Sequence, residues 1–140
     1  MLSEDGYSPE DCRALSAVIG RIGDRWTIMV VGLLGTGPKR FNDIRRSLEG
    51  LTQRMLTLTL RGLERDGLVT RTQYPTKPPS VEYALTERGQ TLLVPVHAIA
   101  KWAWDHRDDV LESRRLYDEV SSAEADHDTS RVHRLADKTR

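Results

Sequence analysis

The stretch KRFNDIRRSLEGLTQRMLTLTLRGLERDGLV, residues 39–69, decides the fold. Within it, Thr52 stands before a run in which Leu56, Leu60 and Leu63 recur at helical spacing. Threonine is a good N-cap, and Leu51 and Leu56 flank it as a hydrophobic staple. Gly67 supplies a left-handed stop, with Leu68 placed to pack back on Leu63. A shorter amphipathic segment precedes this helix, with Phe41, Ile44 and Leu48 on one face and Gly50 at its end. A turn near Glu49-Gly50-Leu51 joins the two, which makes a helix-turn-helix pair.

Downstream, Leu68 to Tyr74 is rich in β-branched and aromatic residues and is predicted as a strand. Pro75-Thr76-Lys77-Pro78-Pro79-Ser80 is a stiff turn. Val81, Tyr83 and Leu85 then alternate with Glu82 and Ala84, so a second strand returns antiparallel and forms a wing. Thr86 caps a long last helix lined by Leu92, Val96, Ile99 and Ala103, with Trp102 and Trp104 near its middle. Pro95 is expected to kink it or to sit near its bend. Amphipathic character continues weakly through Val110, Leu111, Tyr117 and Val120.

Upstream, Ser8, Pro9 and Asp11 form a helix start signal. Leu15, Val18, Ile19 and Ile22 follow at helical spacing, and Gly23 stops that helix. Asp24 caps the next, whose wide stripe of Trp26, Met29, Val30, Leu33 and Leu34 is expected to be buried. Gly35-Thr36-Gly37-Pro38 ends it. The expected fold is mainly α with a small β-hairpin, a winged helix-turn-helix. Residues 1–11 are an N-terminal arm and 12–120 one domain; 121–140, polar and without aromatics, are a flexible tail.

Function is constrained by charge. The formal net charge is zero, yet residues 36–80 hold nine basic and four acidic side chains, and residues 105–140 hold seven basic and ten acidic. The cations concentrate where the helix-turn-helix and wing lie, and such polarisation suits a duplex partner. In the second helix of the pair, Gln53, Arg54, Thr57 and Arg61 fall opposite the leucine stripe, with Thr52 at the tip and no acid before Glu64. Arginine forks onto guanine, glutamine onto adenine, and threonine touches a methyl or phosphate. Lys77 at the wing tip, Arg71 on the strand leading to it, and Lys39 and Arg40 before the short helix suit phosphate contacts that position without specifying. Arg45 and Arg46 read equally as phosphate contacts or as solvated surface. A winged helix that binds protein, RNA or a ligand is the competing reading of the same fold.

Other classes find less support. The acidic start, Met1-Leu2-Ser3-Glu4-Asp5, has no apolar run behind it, so no secretory leader is expected. The longest apolar run, Ile28 to Leu34, is too short for a membrane span. A single cysteine, Cys12, excludes an internal disulfide and fits the cytoplasm. His97, His106, His127 and His133 form no nucleophile or metal pattern, and Asp126-His127-Asp128 reads as solvated. No cofactor loop is present and no enzyme is expected.

GDRWT (23–27), GPKRFNDI (37–44), LTQRMLT (51–57), LERDGLV (63–69), PPSVEYALTERG (78–89) and Trp102 together resemble the HxlR family of bacterial transcription regulators, relatives of the MarR-type winged helices. The resemblance covers about Cys12 to His106. It implies a homodimer on a palindromic operator in double-stranded DNA, with the first helix and the long last helix as dimerisation helices. It places Thr52, Gln53, Arg54 and Thr57 on the recognition helix and Lys77 on the wing. Members of that family often carry a cysteine just ahead of the first helix, and a subset looks like a sensor of oxidants or electrophiles. Cys12 matches it, though Arg13 stands where proline is usual. Sensor and mere inheritance both stay open, as does a small-molecule effector. The segment after Val120 lies outside the resemblance.

Overall fold

A computed structural model describes residues 6–137, with side chains through residue 132. The chain divides into two compact units, residues 1–98 and 99–140. The boundaries expected at 11 and 120 fall inside helices. In the first unit α1 is Pro9–Ile22, α2 Arg25–Leu34, β1 Lys39–Arg40, α3 Phe41–Ser47 and α4 Gln53–Arg65. Strands β2 Val69–Tyr74 and β3 Ser80–Leu85 follow, then α5 Glu87–Thr91 and the start of α6, which runs Leu93–Asp137.

The helix ends follow the side-chain chemistry. Ser8 and Asp11 form a reciprocal capping box at α1, Asp24 accepts from the Thr27 N–H at α2, and Thr52 accepts from the Met55 N–H at α4. At the far end of α4, Gly67 adopts φ +73°. Its N–H donates to the Glu64 carbonyl at 3.0 Å, and the Leu68 N–H donates to Leu63 at 2.9 Å. That pair of bonds is the Schellman ending, and it turns the chain directly into β2.

The core of the first unit packs α2 against α4 and the sheet. Val30, Val31, Ile44, Leu56, Leu60 and Leu63 are almost wholly removed from water. The expected stripe of α2 is shifted: Val31 is buried, Leu33 is half-buried and Met29 is exposed. Burying a leucine-sized side chain is worth about 1.5–3 kcal/mol, so the α4 stripe is a principal anchor of the unit.

The sheet has three strands in the order β1-β3-β2, all antiparallel. The β2–β3 hairpin pairs Val69 with Leu85 through Tyr74 with Ser80. The extra strand, β1, pairs Lys39 with Tyr83 and Arg40 with Glu82. Two residues show no alternation in sequence, so only the partner strand reveals β1.

The last helix also differs from expectation. It is interrupted at Leu92, whose N–H donates to Gly89, before α6 begins. Pro95 explains the position: without an N–H it cannot bond the Thr91 carbonyl. Pro95 thus sits near the bend, as expected, and the interruption itself falls one turn upstream. Thr86 locks α5 to the hairpin, donating its hydroxyl to Gly67 and accepting from the Gly89 N–H.

In the second unit α6 continues to Asp137. Residues 121–137 of the expected tail are therefore helical, and 138–140 lie outside the described residues. No glycine or proline follows Pro95, so nothing in the sequence stops the helix. Among the described residues no helix is long and apolar enough to cross a membrane.

Candidate nucleic-acid interface

Helix α4 presents two unlike faces. Leu56, Thr59, Leu60 and Leu63 are buried. Thr52, Gln53, Arg54 and Arg61 are exposed, and Thr57 is half-buried. Neither Arg54 nor Arg61 has an ion-pair partner among the described residues, so their positive field is directed at solvent. The hydroxyls are partly committed. Thr52 Oγ1 caps the helix, and Thr57 Oγ1 donates to the Gln53 carbonyl at 2.8 Å.

The spine of this outer face runs Arg54, Leu58, Arg61, Arg65, at spacings of four, three and four. Leu58 is 54% exposed. Sequence reading passed over Leu58 and Arg65, although their helical spacing from Arg54 and Arg61 was available. An exposed leucine between arginines offers an apolar contact of the kind a thymine methyl accepts.

The basic residues around α4 fall in two places. Arg40, Arg46 and Lys77 line one cleft of about 630 Å³ between the start of α3 and the wing tip, with Asn42, Thr76 and Ser80. Arg46 is ion-paired with Asp43, which moderates its charge. Arg45 is exposed. Lys77 precedes the prolines of the turn, and the Thr76 hydroxyl donates to the Pro78 carbonyl at 2.9 Å, tightening that tip. Lys39 and Arg71 do not join this cleft. They flank Tyr83 from opposite neighbouring strands, in one cross-strand row. Lys39 is half-buried and Arg71 exposed.

Cys12 sits in the first turns of α1 and is exposed. Its N–H donates to the Ser8 carbonyl at 2.9 Å, so the capping box fixes its place. Among the described residues no group of three or more His, Cys, Asp or Glu side chains is placed to hold a metal.

A helix-turn-helix whose second helix carries a cationic outer face with no acid before Glu64, followed by a basic wing, is the architecture of a DNA-reading domain. The HxlR-like helix-turn-helix model matches residues 21–110. The chain belongs to this family. It is 49% identical over 94 residues to the HTH-type transcriptional regulator YybR of Bacillus subtilis strain 168, covering 67% of this chain and 74% of that one. Among solved structures it is similar to the transcriptional regulator ytfH from Salmonella typhimurium, with a TM-score of 0.66, 36% identity, and coverage of 71% of this chain and 88% of that one. It is also similar to the redox regulator HypR in its reduced form, with a TM-score of 0.64, 45% identity, and coverage of 71% and 98%. The HxlR-like protein is thus a transcriptional regulator with a helix-turn-helix DNA-binding fold, and its relatives are regulators rather than enzymes.

Proposed function

We propose that this regulator binds a palindromic operator as a homodimer, inserting α4 of each subunit into successive major grooves about 34 Å apart. The observation that carries this reading is the outer face of α4, where Gln53, Arg54, Thr57 and Arg61 stand without an acid before Glu64. Arg54 and Gln53 read base edges, and Leu58 adds an apolar contact. Lys77, Arg40, Lys39 and Arg71 meet phosphate and set the register. The homodimer is supported by large exposed apolar side chains on α1, Val18 and Ile19, and by those on α6.

The test is enrichment of genomic fragments by the purified protein at moderate salt, followed by sequencing. A palindrome enriched by the parent and lost by Gln53→Ala/Arg54→Ala is the expected result. A flat profile for the parent would turn the reading toward a winged helix that binds protein. Salt provides a second check. DNA affinity falls steeply with salt through counterion release.

A redox response is a second reading, favoured by the exposure of Cys12 and the similarity to a redox regulator. Cys12 is the sole cysteine, so an oxidised thiol has only another chain or a small thiol to pair with. Oxidant should release the operator from the parent and not from Cys12→Ser. An equal response in both would remove the thiol from the mechanism.

A further inference from the structure

We infer that Arg25, at the corner between α1 and α2, holds a DNA phosphate beside the start of α4 and makes that corner a second backbone contact, separate from the wing cleft. This rests on the operator reading and adds a positioning residue to it.

The corner runs along α4 next to its outer spine. At 100° per residue Met55, Thr59, Gly62 and Asp66 fall within about 60° of one another. That stripe is centred about 100° round the helix from the spine of Arg54, Leu58, Arg61 and Arg65. Arg21 lies over Gly62 and donates to Asp66, so the end of α1 meets the far end of this stripe. Trp26 reaches the other end of α4. A Cβ on Gly50 would stand 3.9 Å from the Trp26 ring, and Gly50, at φ +83°, forms the turn that leads to the Thr52 cap. The chain from Arg21 to Trp26 therefore lies alongside the spine that faces the groove in the operator reading.

Arg25 is held in place and still able to bind. Its guanidinium carbon stands 4.2 Å from the centre of the Trp26 ring, and Trp26 is 6% exposed, so the platform beneath it belongs to the core. Stacking occupies one face of the guanidinium and leaves the N–H groups at its edge for other partners. Among the described residues Arg25 has no ion pair and no side-chain hydrogen bond. Asp24, the acid before it, is committed to the helix cap, where its Oδ2 accepts from the N–H and the hydroxyl of Thr27. The position does not serve α2 either. A cation in the first turn opposes the helix dipole, and no acid lies within that turn. A planar, permanently charged donor fork that the fold leaves unused suits the paired oxygens of a phosphate.

A helix in the major groove is bordered by two phosphate backbones. Arg40 and Lys77 line the cleft between α3 and the wing tip, which no described residue of α1 or α2 lines. Arg25 supplies a contact elsewhere, beside the turn that opens α4. Two separated contacts fix the tilt of α4, which one cannot.

Fluorescence anisotropy of the full-length protein on a labelled random-sequence duplex, at three salt concentrations, tests this. Arg25→Ala should weaken binding about tenfold and reduce the slope of log affinity against log salt by about 1 per site removed, with the thermal unfolding midpoint unmoved. Arg25→Lys keeps the charge and loses the fork, so it should restore the slope and only part of the affinity. Arg115→Ala removes a cation from α6 and should leave the slope as it is. On the enriched operator, ethylation interference should find one phosphate in each half-site whose modification harms the parent and not Arg25→Ala. Parent affinity and slope in Arg25→Ala overturn the inference, and the operator reading stands if Gln53→Ala/Arg54→Ala still loses the palindrome. Weaker binding with an unchanged slope and a lower unfolding midpoint makes Arg25 a brace for Trp26 and also overturns it. An equal fall in slope from Arg115→Ala assigns the effect to net charge and overturns it too. A parent that binds no duplex overturns both readings.

Discussion

The guanidinium of Arg21 lies where a side chain on Gly62 would stand. A Cβ at Gly62 would overlap the guanidinium carbon and both terminal nitrogens. From that position Arg21 Nε donates to Asp66 at 3.2 Å, tying α1 to the end of α4. Two effects oppose each other at this glycine. It weakens the helix by about 1 kcal/mol against alanine. It also admits an ion pair whose partners are 34% and 40% exposed, so the pair is worth less than about 1 kcal/mol. Gly62→Ala should therefore raise stability by less than about 1 kcal/mol in the intact chain, and stabilise an Arg21→Ala chain by about the full 1 kcal/mol. Urea unfolding of the four proteins measures the coupling. Equal gains in both backgrounds would show that the contact carries no energy.

The two faces of α4 should separate stability from binding. Leu60 is 1% exposed and Leu58 is 54% exposed. Leu60→Ala deletes buried methyl groups and leaves a cavity, at about 2–5 kcal/mol. Leu58→Ala should stay within about 0.5 kcal/mol of the parent. Its effect should appear in operator affinity instead. Thermal unfolding and a binding titration on the same two variants decide it, and a large loss of stability from Leu58→Ala would place that side chain in the core.

What the sequence made legible was local chemistry. Ser8, Asp24 and Thr52 cap helices as their side chains suggest, and Gly67 ends α4 in the left-handed conformation. The leucine stripe of α4 is readable because one face of one helix supplies most of it. Features that depend on a distant partner were not readable. Strand β1 exists only because Lys39 and Arg40 meet β3. The break at Leu92 is written in Pro95, but as a missing donor one turn away rather than as a local breaker. The C-terminal part of α6 carries no helix signal in its polar pattern beyond the absence of glycine and proline from residues 121–137. At the candidate interface, charge drew attention to Arg54 and Arg61, and the apolar Leu58 between them was passed over.

Arg54 and Lys77 should fail in different ways. Arg54 is placed to fork onto a base edge, and Arg54→Ala should cost about 1–3 kcal/mol and relax preference at one position of each half-site. Lys77 is placed at the wing tip, lining the cleft with Arg40. Lys77→Ala should weaken all sequences alike and reduce the slope of log affinity against log salt by about 1 per site removed. Titrations against the operator, a one-base variant and random duplex at three salt concentrations separate the two. Loss of discrimination from Lys77→Ala would mean that the wing reads sequence.

Acid should loosen the start of α1 before the core responds. Asp11 accepts from the Ser8 hydroxyl at 2.8 Å and from the Ser8 N–H at 3.1 Å. The hydroxyl first, and then the backbone donor, hold the Asp11 carboxyl below the ordinary carboxylate range. A carboxyl whose native pKa is depressed stabilises the fold above its unfolded value and loses that contribution as pH falls through the native one. The cap is therefore intact at neutral pH and is lost in acid, below about pH 4. The same turn carries Cys12, whose N–H bonds the Ser8 carbonyl, so the protection of its amide, taken relative to the intrinsic exchange rate at each pH, should fall as Asp11 protonates. An NMR titration of the Asp11 carboxyl should give a midpoint below that of an unfolded peptide, and Ser8→Ala should raise it toward the peptide value. If Ser8→Ala leaves the midpoint unmoved, the capping box is not what sets the acidity of Asp11.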